Sequence, residues 1–354
     1  MNCIYKNALM GGKDVDIRVV DGKIAAIGKF EEDGINLNGC NIYPGLVDVH
    51  SHGCIGFDTM DAEYLDKMSL YMAKNGTTSW LPTTMTMDME HTKKVVDTDI
   101  SKVKGANVLG FHAEGPYINV KYKGAQNEKY IKEPSLTEFK ELKNIRMITV
   151  APEVSGCMEF IEKCGCTVAI GHTDADYECC CEAIEHGAKC LTHTFNAMPP
   201  LHHRNPGPVG AAIDKNAYVQ VICDGIHLHK SVVMMLYRTF GTDRMVLISD
   251  SVRATGLQDG EYELGGQMTT VKNSVARLSD GTIAGGTSTL LRCVKKAIEF
   301  GIPADDAFKM ASQTPAELIG VDKGKLDVGC DADFVAVDND FNLVMTVVGG
   351  KVIE

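Results

Sequence analysis

The sequence lacks any long apolar run. None of its 354 residues belong to a stretch of about eighteen apolar residues, the length that a helix needs to span a bilayer. The N-terminus, MNCIYKNALMGGKD, also lacks the basic start followed by an apolar segment that is typical of a secretory signal. We therefore expect a cytoplasmic protein that has no membrane partner.

The chain has fewer basic than acidic residues. The chain has 35 Lys and Arg against 47 Asp and Glu, which gives a net charge of −12. Because no basic stripe is available to neutralise phosphates, nucleic acid is not expected as a partner. An anionic small molecule would have to be bound by a few local cations.

Signals for a disulfide framework are missing too, although the chain has thirteen cysteines. A more specific alternative is a metal site formed by the thiolates of Cys164 and Cys166. However, the sequence has no second cysteine pair at the spacing typical of a zinc finger. In a chain without a secretory signal, we interpret the cysteines as reduced thiols.

What the sequence does contain is a regular alternation of strand-like and helix-like segments from Pro44 to about residue 320. Helical runs are predicted at 62–76, 136–145 and 174–187. Eight β-then-α units predict an α/β protein with a (β/α)8 TIM barrel, whose active site lies at the C-terminal ends of the strands. The predicted strand ends fall near His52, Thr84, Glu114, Glu153, His172, His193, His227 and Asp250.

Both ends of the chain are β-rich and differ from this middle. We expect residues 1–44 and 321–354 to come together as one small β-sandwich domain beside a barrel of residues 45–320. Residues 256–283 have no helical period and contain two Asp-Gly pairs. They are predicted to form a β excursion between the eighth barrel strand and its helix.

Metal-type and acid/base side chains follow most of the predicted strands. His50 and His52 project to the same face of the first strand, because side chains alternate along a strand. A single His-x-His is weak evidence, and a histidine or aspartate at a strand end often only caps a loop. Such groups at six of eight strand ends indicate a site for zinc or a similar divalent ion. The other five are Glu114, His172, His193, His227 and Asp250.

Several longer motifs occur in a characteristic order: PGLVDVHSHG, GFHAEGPYIN, IGHTDA, THTFNAMPPLHHRNPG, DGIHL, LISDS and QTPAELIGVDKGKLDVGCDADFVAVD. Together they resemble the amidohydrolase superfamily and, within it, the N-acetylglucosamine-6-phosphate deacetylase family. The resemblance implies a hydrolase that converts N-acetyl-D-glucosamine 6-phosphate to D-glucosamine 6-phosphate and acetate. It also implies a homodimer.

The resemblance assigns roles residue by residue. Glu114, His172 and His193 match the main metal ligands, and Asp250 matches the catalytic aspartate. Some members lack the His-x-His and hold one metal, so the presence of His50 and His52 leaves one or two ions per subunit open here; zinc is favoured over iron, manganese or cobalt. The matching substrate-binding positions are Ala125, Gln126, Asn196, Ala197, Arg204, Asp224, His227, Ile283 and Gly286. Some relatives have histidine in place of Gln126.

The chemistry of amide hydrolysis agrees with these roles. An amide needs an activated water, stabilisation of the oxyanion and a proton for the departing amine. A metal held by Glu114, His172 and His193 meets the first two needs. We expect Asp250 to accept the water proton and to return it to the leaving nitrogen. His227 is expected to contact the substrate carbonyl or a sugar hydroxyl, or else to be a structural strand-end histidine.

The run His202-His203-Arg204-Asn205 is cationic in an acidic chain, and the Arg204 guanidinium can bind phosphate bidentately. In relatives a basic residue reaches the phosphate site of the neighbouring subunit, which raises the same possibility for His203. Three alternatives stay open at this point. They are hydrolysis of the N-acetylgalactosamine 6-phosphate epimer, hydrolysis of a cyclic amide as in dihydroorotases and hydantoinases, and a non-catalytic scaffold.

Overall fold

The computed structural model describes residues 2–354 and has a parallel β-barrel at its centre. The barrel strands are short and mostly buried on both faces, as is usual for parallel sheets that are covered by helices. In chain order they are Leu46–Ser51, Thr77–Thr84, Phe111–Glu114, Ile145–Val150, Thr167–Ile170, Ala188–Leu191, Tyr218–Ile222 and Met245–Ile248.

Each barrel strand pairs in parallel with the next one in the chain. The barrel closes where the end of the first strand meets the residues just after the eighth: the Asp250 N–H donates to the His50 carbonyl over 2.9 Å, and Ser51 bridges to Ser251. A short strand, Asn107–Val108, lies beside the second barrel strand. The predicted α/β TIM-barrel class is therefore confirmed.

Helices cover the outside of the barrel. The α-helices are Leu65–Lys74, Met89–Val96, Leu136–Phe139, Cys157–Lys163, Tyr177–Glu185, Gly207–Asp214, Lys230–Arg244, Leu290–Phe300, Ala304–Met310 and Gln313–Leu318, and 3-10 turns occupy Ala62–Tyr64, Ile100–Lys102, Val120–Tyr122 and Glu128–Tyr130. Among the described residues, none of the helices has the length and apolar character needed to cross a membrane.

The predicted helix over 136–145 is wrong in extent. The Ser135 hydroxyl caps a helix that ends at Phe139, and Asn144 has a left-handed φ of 58°. The fourth barrel strand starts at Ile145, directly after this turn. Apolar residues three apart (Leu136, Phe139, Leu142) gave the helical pattern, but they pack against the core from a single helical turn and the loop after it.

A β element lies within 256–283, where the sequence predicts an excursion. It is a three-stranded antiparallel sheet made of Gly260–Leu264, Gln267–Lys272 and Val275–Arg277. A smaller hairpin, Gly53–Cys54 with Phe57–Asp58, follows the first barrel strand.

Both chain ends form one eight-stranded sheet with a hydrophobic core of its own. Its strands are Asn2–Met10, Lys13–Val20, Lys23–Gly28, Ile35–Asn36, Asn41–Pro44, Phe334–Val337, Leu343–Val348 and Lys351–Val352. The two ends are joined where Phe334 lies opposite Pro44, and the edge of the Tyr5 ring packs on Phe334. Met1 lies outside the described residues, and the domain boundaries at 44 and 321 stay predictions.

Candidate metal centre and active site

Glu114, the last residue of the third barrel strand, is the point where four imidazoles meet. Its Oε1 lies 3.1 Å from His172 Nε2 and 3.0 Å from His193 Nε2. The same Oε1 is 3.3 Å from His50 Nε2, and Oε2 is 3.2 Å from His52 Nε2. All five side chains are buried, and they form two possible metal-ligand groups that share Glu114.

The far side of each ring is also occupied, because every Nδ1 faces an oxygen acceptor. The pairs are His172 with Tyr122 O at 2.8 Å, His193 with Asn196 O at 3.2 Å, His50 with Gln220 Oε1 at 3.0 Å and His52 with Thr83 O at 3.1 Å. An acceptor beside Nδ1 makes that nitrogen the protonated one. The lone pair of each ring is then on Nε2, the nitrogen that faces Glu114.

The arrangement fits a bound cation. His172 Nε2 and His193 Nε2 are 3.1 Å apart, and His50 Nε2 and His52 Nε2 are 3.3 Å apart. Lone pairs held this close together beside a carboxylate repel one another unless a positive charge lies between them. Imidazole and carboxylate are the donors expected for zinc and similar divalent ions, so Glu114, His172 and His193 would hold one ion, and His50, His52 and Glu114 a second.

Without a metal, protons take over part of this role. Burial alone would raise the pKa of Glu114, but the charges of His172 and His50 lower it well below its ordinary value. Burial alone would lower the pKa of His52, but hydrogen bonds with Asp250 and Glu114 raise it well above its ordinary value. Metal binding should therefore displace protons from this cluster.

Asp250 follows the eighth barrel strand by two residues and faces the same cluster. Its Oδ1 lies 3.4 Å from His50 Nε2 and 3.3 Å from His52 Nε2. Burial opposes ionisation, but the charge of His50 and the hydrogen bond from His52 lower the pKa of Asp250 to about 2. The carboxylate is therefore ionised at neutral pH and able to accept a proton.

Three of these residues have a backbone conformation that side chains other than glycine rarely adopt. His172 and Asp250 have φ values of 48°, and His193 has a φ of 24°. Left-handed conformations of this kind cost free energy and persist where the surroundings fix them, most often at functional sites. The chain turns sharply after the fifth, sixth and eighth strands and directs each side chain to the barrel mouth.

A cavity of about 460 Å³ opens above the cluster. Its volume lies within the range of about 300–1,000 Å³ that is usual for small-molecule sites. Eleven of the predicted site residues line it: His52, Glu114, Ala125, Gln126, His172, His193, Asn196, Ala197, His227, Asp250 and Ile283. The predicted site residues outside this lining are His50, Arg204, Asp224 and Gly286.

Three of these four residues support the lining from behind or beside it. His50 is a fully buried member of the cluster and does not line the cavity. The Gly286 N–H donates to the Asp250 carbonyl over 2.6 Å. Asp224 Oδ2 lies 2.7 Å from His227 Nδ1, so Nε2 is the His227 nitrogen that remains for a substrate. Burial opposes the charged imidazolium, but Asp224 raises the pKa of His227.

Arg204 lies elsewhere. It is exposed and lines a separate cleft of about 390 Å³ together with Asp174, Asp176 and Glu178. Among the described residues, Lys121 is the only lysine or arginine that lines the main cavity. Its ammonium donates to an Asp174 carboxylate oxygen over 2.7 Å. The phosphate-binding cation expected from sequence therefore does not reach the cavity of its own chain.

Sequence reasoning missed two polar residues in this region. Gln220 is fully buried in the seventh strand, where its Oε1 accepts from His50. A lone glutamine inside the apolar run Tyr218–Ile222 was the available signal, since a buried amide needs a partner. Lys121, in the loop after the third strand, carried no such signal.

A sequence profile of the amidohydrolase family matches residues 41–353, so the chain belongs to the amidohydrolase family. Members of this family depend on divalent metals, in agreement with the two ligand groups around Glu114.

Within this family, the chain is similar to sugar-phosphate deacetylases. It is 38% identical to the N-acetylglucosamine-6-phosphate deacetylase of Vibrio furnissii over 94% of this chain and 89% of that protein. It is 34% identical to the N-acetylgalactosamine-6-phosphate deacetylase of Escherichia coli O157:H7 over 96% and 94% of the two chains. The structure matches a Mycobacterium smegmatis N-acetyl-D-glucosamine-6-phosphate deacetylase variant in complex with N-acetyl-D-glucosamine-6-phosphate, with a TM-score of 0.92, 28% identity and 99% coverage of both chains.

The position of Glu114 between the two ligand groups leads to a prediction about metal content. Glu114→Gln replaces the shared carboxylate with a neutral amide, and we expect it to weaken metal binding at least about tenfold, since the imidazoles lose their anionic partner. Elemental analysis of the purified protein after dialysis measures this. Glu182→Gln, on an exposed helix face, is the matched control. Full metal occupancy in Glu114→Gln would contradict the shared-ligand arrangement.

Proposed function

We propose that the protein hydrolyses the acetamide of N-acetyl-D-glucosamine 6-phosphate to D-glucosamine 6-phosphate and acetate, in amino-sugar catabolism. The observation that carries this proposal is the convergence of Glu114, His172 and His193 with the ionised Asp250 at the floor of one cavity. The chain is similar over nearly its whole length to proteins named N-acetylglucosamine-6-phosphate deacetylase, and this similarity supports the choice of substrate.

The metal would be held by Glu114, His172 and His193, with His50 and His52 available for a second ion. We propose zinc, since neutral imidazole and carboxylate suit it, although iron, manganese and cobalt share this preference. When bound, such an ion lowers the pKa of water and polarises a carbonyl.

Asp250 is the proposed catalytic residue. Its Oδ1 lies 3.3 Å from His52 Nε2, beside the metal-ligand groups, so it can take a proton from the attacking water. The same carboxyl then gives that proton to the nitrogen that leaves as an amine. His227, oriented by Asp224, donates from Nε2 to the substrate carbonyl or to a sugar hydroxyl. Asn196, Ala197 and the 283–286 loop would then bind the sugar.

Acetate release tests the function directly. N-acetylglucosamine 6-phosphate should be hydrolysed fast, and the unphosphorylated sugar and the galactosamine epimer slowly. The epimer is the second candidate substrate because a relative at 34% identity is named for it. Asp250→Asn should retain bound metal and lose turnover by roughly 100- to 10,000-fold, the range for a lost general acid–base group. Wild-type turnover in Asp250→Asn would exclude the catalytic role.

The His227–Asp224 pair leads to a prediction about pH dependence. Because Asp224 raises the pKa of His227, the charged imidazolium persists above the pH at which an ordinary histidine loses its proton. In Asp224→Asn the opposing effect of burial remains, so His227 should lose its proton at a lower pH. We expect KM to rise with increasing pH in both proteins, and to start rising at a lower pH in Asp224→Asn than in the wild type.

Measurements of kcat and KM between about pH 5.5 and 9 separate this effect from changes at the metal cluster. His229→Gln is the matched control, because His229 is exposed at the start of the helix Lys230–Arg244. Identical KM profiles in Asp224→Asn and the wild type would assign His227 a structural role.

We further propose a homodimer in which Arg204 of one subunit binds the substrate phosphate in the site of the other. Arg204 is exposed and absent from its own cavity, where Lys121 is already paired with Asp174. The neighbouring His203 is also exposed and is available for the same role. The proposed location, the cytoplasm, is supported by thirteen cysteines that are all free thiols.

Arg204→Ala should raise KM for the phosphorylated sugar about tenfold or more, since hydrogen bonds to a charged group contribute about 1.5–3 kcal/mol. It should leave kcat nearly unchanged. Mixing Arg204→Ala with Asp250→Asn tests the arrangement across subunits, because half of the sites in mixed dimers would then be intact. An unchanged KM in Arg204→Ala rules out the phosphate role, and no regained activity on mixing rules out the partner's contribution.

A further inference from the structure

Glu153 follows the fourth barrel strand, one of the strands that contribute no side chain to the metal-ligand groups found among the described residues. It is half-buried, and its carboxylate accepts three hydrogen bonds. Oε1 lies 2.9 Å from Asn119 Nδ2 and 2.6 Å from the Asp174 backbone nitrogen, and Oε2 lies 2.5 Å from Thr173 Oγ1. A carboxylate that is only an acceptor matches three donors of this kind.

Two of these donors belong to the residues directly after His172. Thr173 is fully buried, and its hydroxyl both donates to Glu153 and accepts from the Ala175 N–H over 2.9 Å. The hydroxyl is therefore fixed in one orientation. Glu153 thereby fixes the chain on the C-terminal side of His172.

The third donor fixes His172 from the opposite side. The Asn119 backbone N–H donates to the His172 carbonyl over 2.8 Å. The Asn119 carbonyl accepts from the Tyr122 N–H, and this turn places the Tyr122 carbonyl 2.8 Å from His172 Nδ1. The hydrogen bond from the Asn119 side chain to Glu153 therefore supports the acceptor that orients the imidazole ring.

His172 needs this support because of its backbone. A φ of 48° is unfavourable for a residue other than glycine and persists only when the surroundings over-determine it. We propose that Glu153 is a positioning residue that holds His172 with Nε2 directed at Glu114 and thereby sets the affinity of the metal site. The inference rests on the metal site of the proposed function and adds a role for the fourth strand.

Metal affinity is the quantity that distinguishes positioning from simple loop support. Glu153→Gln keeps the shape of the side chain but presents an amide N–H₂ to donors. We expect the metal-free protein to bind Zn²⁺ or Co²⁺ roughly 10- to 100-fold more weakly, as is usual when a partner of a metal-bound histidine is lost. Titration in competition with a chelator of known affinity measures the Kd, and the visible spectrum of bound Co²⁺ reports the geometry of its ligands.

Three further variants complete the test. Thr173→Val removes one donor at nearly constant shape and should weaken metal binding less than Glu153→Gln does. In the double variant the losses should be smaller than additive, because both changes break the same contact. Glu159→Gln, on the exposed face of the next helix, is the matched control and should bind metal as the wild type does.

Glu153→Gln with a Kd within about twofold of the wild type would overturn the proposal. The proposal would also be overturned if circular dichroism showed that unfolding of the metal-free variant fully accounts for its loss of affinity. If Glu153→Gln does not fold, Thr173→Val decides, and an unchanged Kd in that variant has the same consequence. A wild-type protein without tight metal binding would instead overturn the proposed function.

Discussion

The crowding of electron pairs around Glu114 is the constraint on which the site depends. Four Nε2 atoms lie 3.0–3.3 Å from the Glu114 carboxylate in a buried space, and two of them also lie 3.3–3.4 Å from Asp250 Oδ1. Such a group is stable only with positive charge inside it, either as protons or as a metal ion. The fold holds each imidazole ring rigidly, because the Nδ1 of each ring contacts an acceptor on a barrel strand or on the loop that follows it.

The fixed histidines also explain how two carboxylates in one buried site are both kept ionised. Burial alone would raise the pKa of both Glu114 and Asp250. The same histidines lower both pKa values, so the anions and the cations of the cluster stabilise one another. Removing any one member therefore changes the protonation of the others, and single substitutions here should not be additive.

The barrel and the identity of most cluster residues were predictable, and the reason is geometric. In a parallel barrel every strand end points to the same face, so a strand-end Glu114, His193 or Asp250 must lie near the others. Sequence could not give the left-handed turns at His172 and His193, because strand patterns carry no signal for a strained φ in a residue other than glycine. It also could not place Arg204, whose exposed loop is set by packing beyond the strand ends.

Gln126 shows how the loops adjust a site that the barrel has fixed. Its side-chain amide donates to Glu114 Oε2, and its Oε1 accepts from the Thr86 N–H over 2.7 Å. A histidine at this position could make the same two contacts in one tautomer, but it would add another proton acceptor to a crowded cluster. The amide does not titrate in the physiological range. Because of this, Gln126 can orient the shared carboxylate without taking up a proton itself.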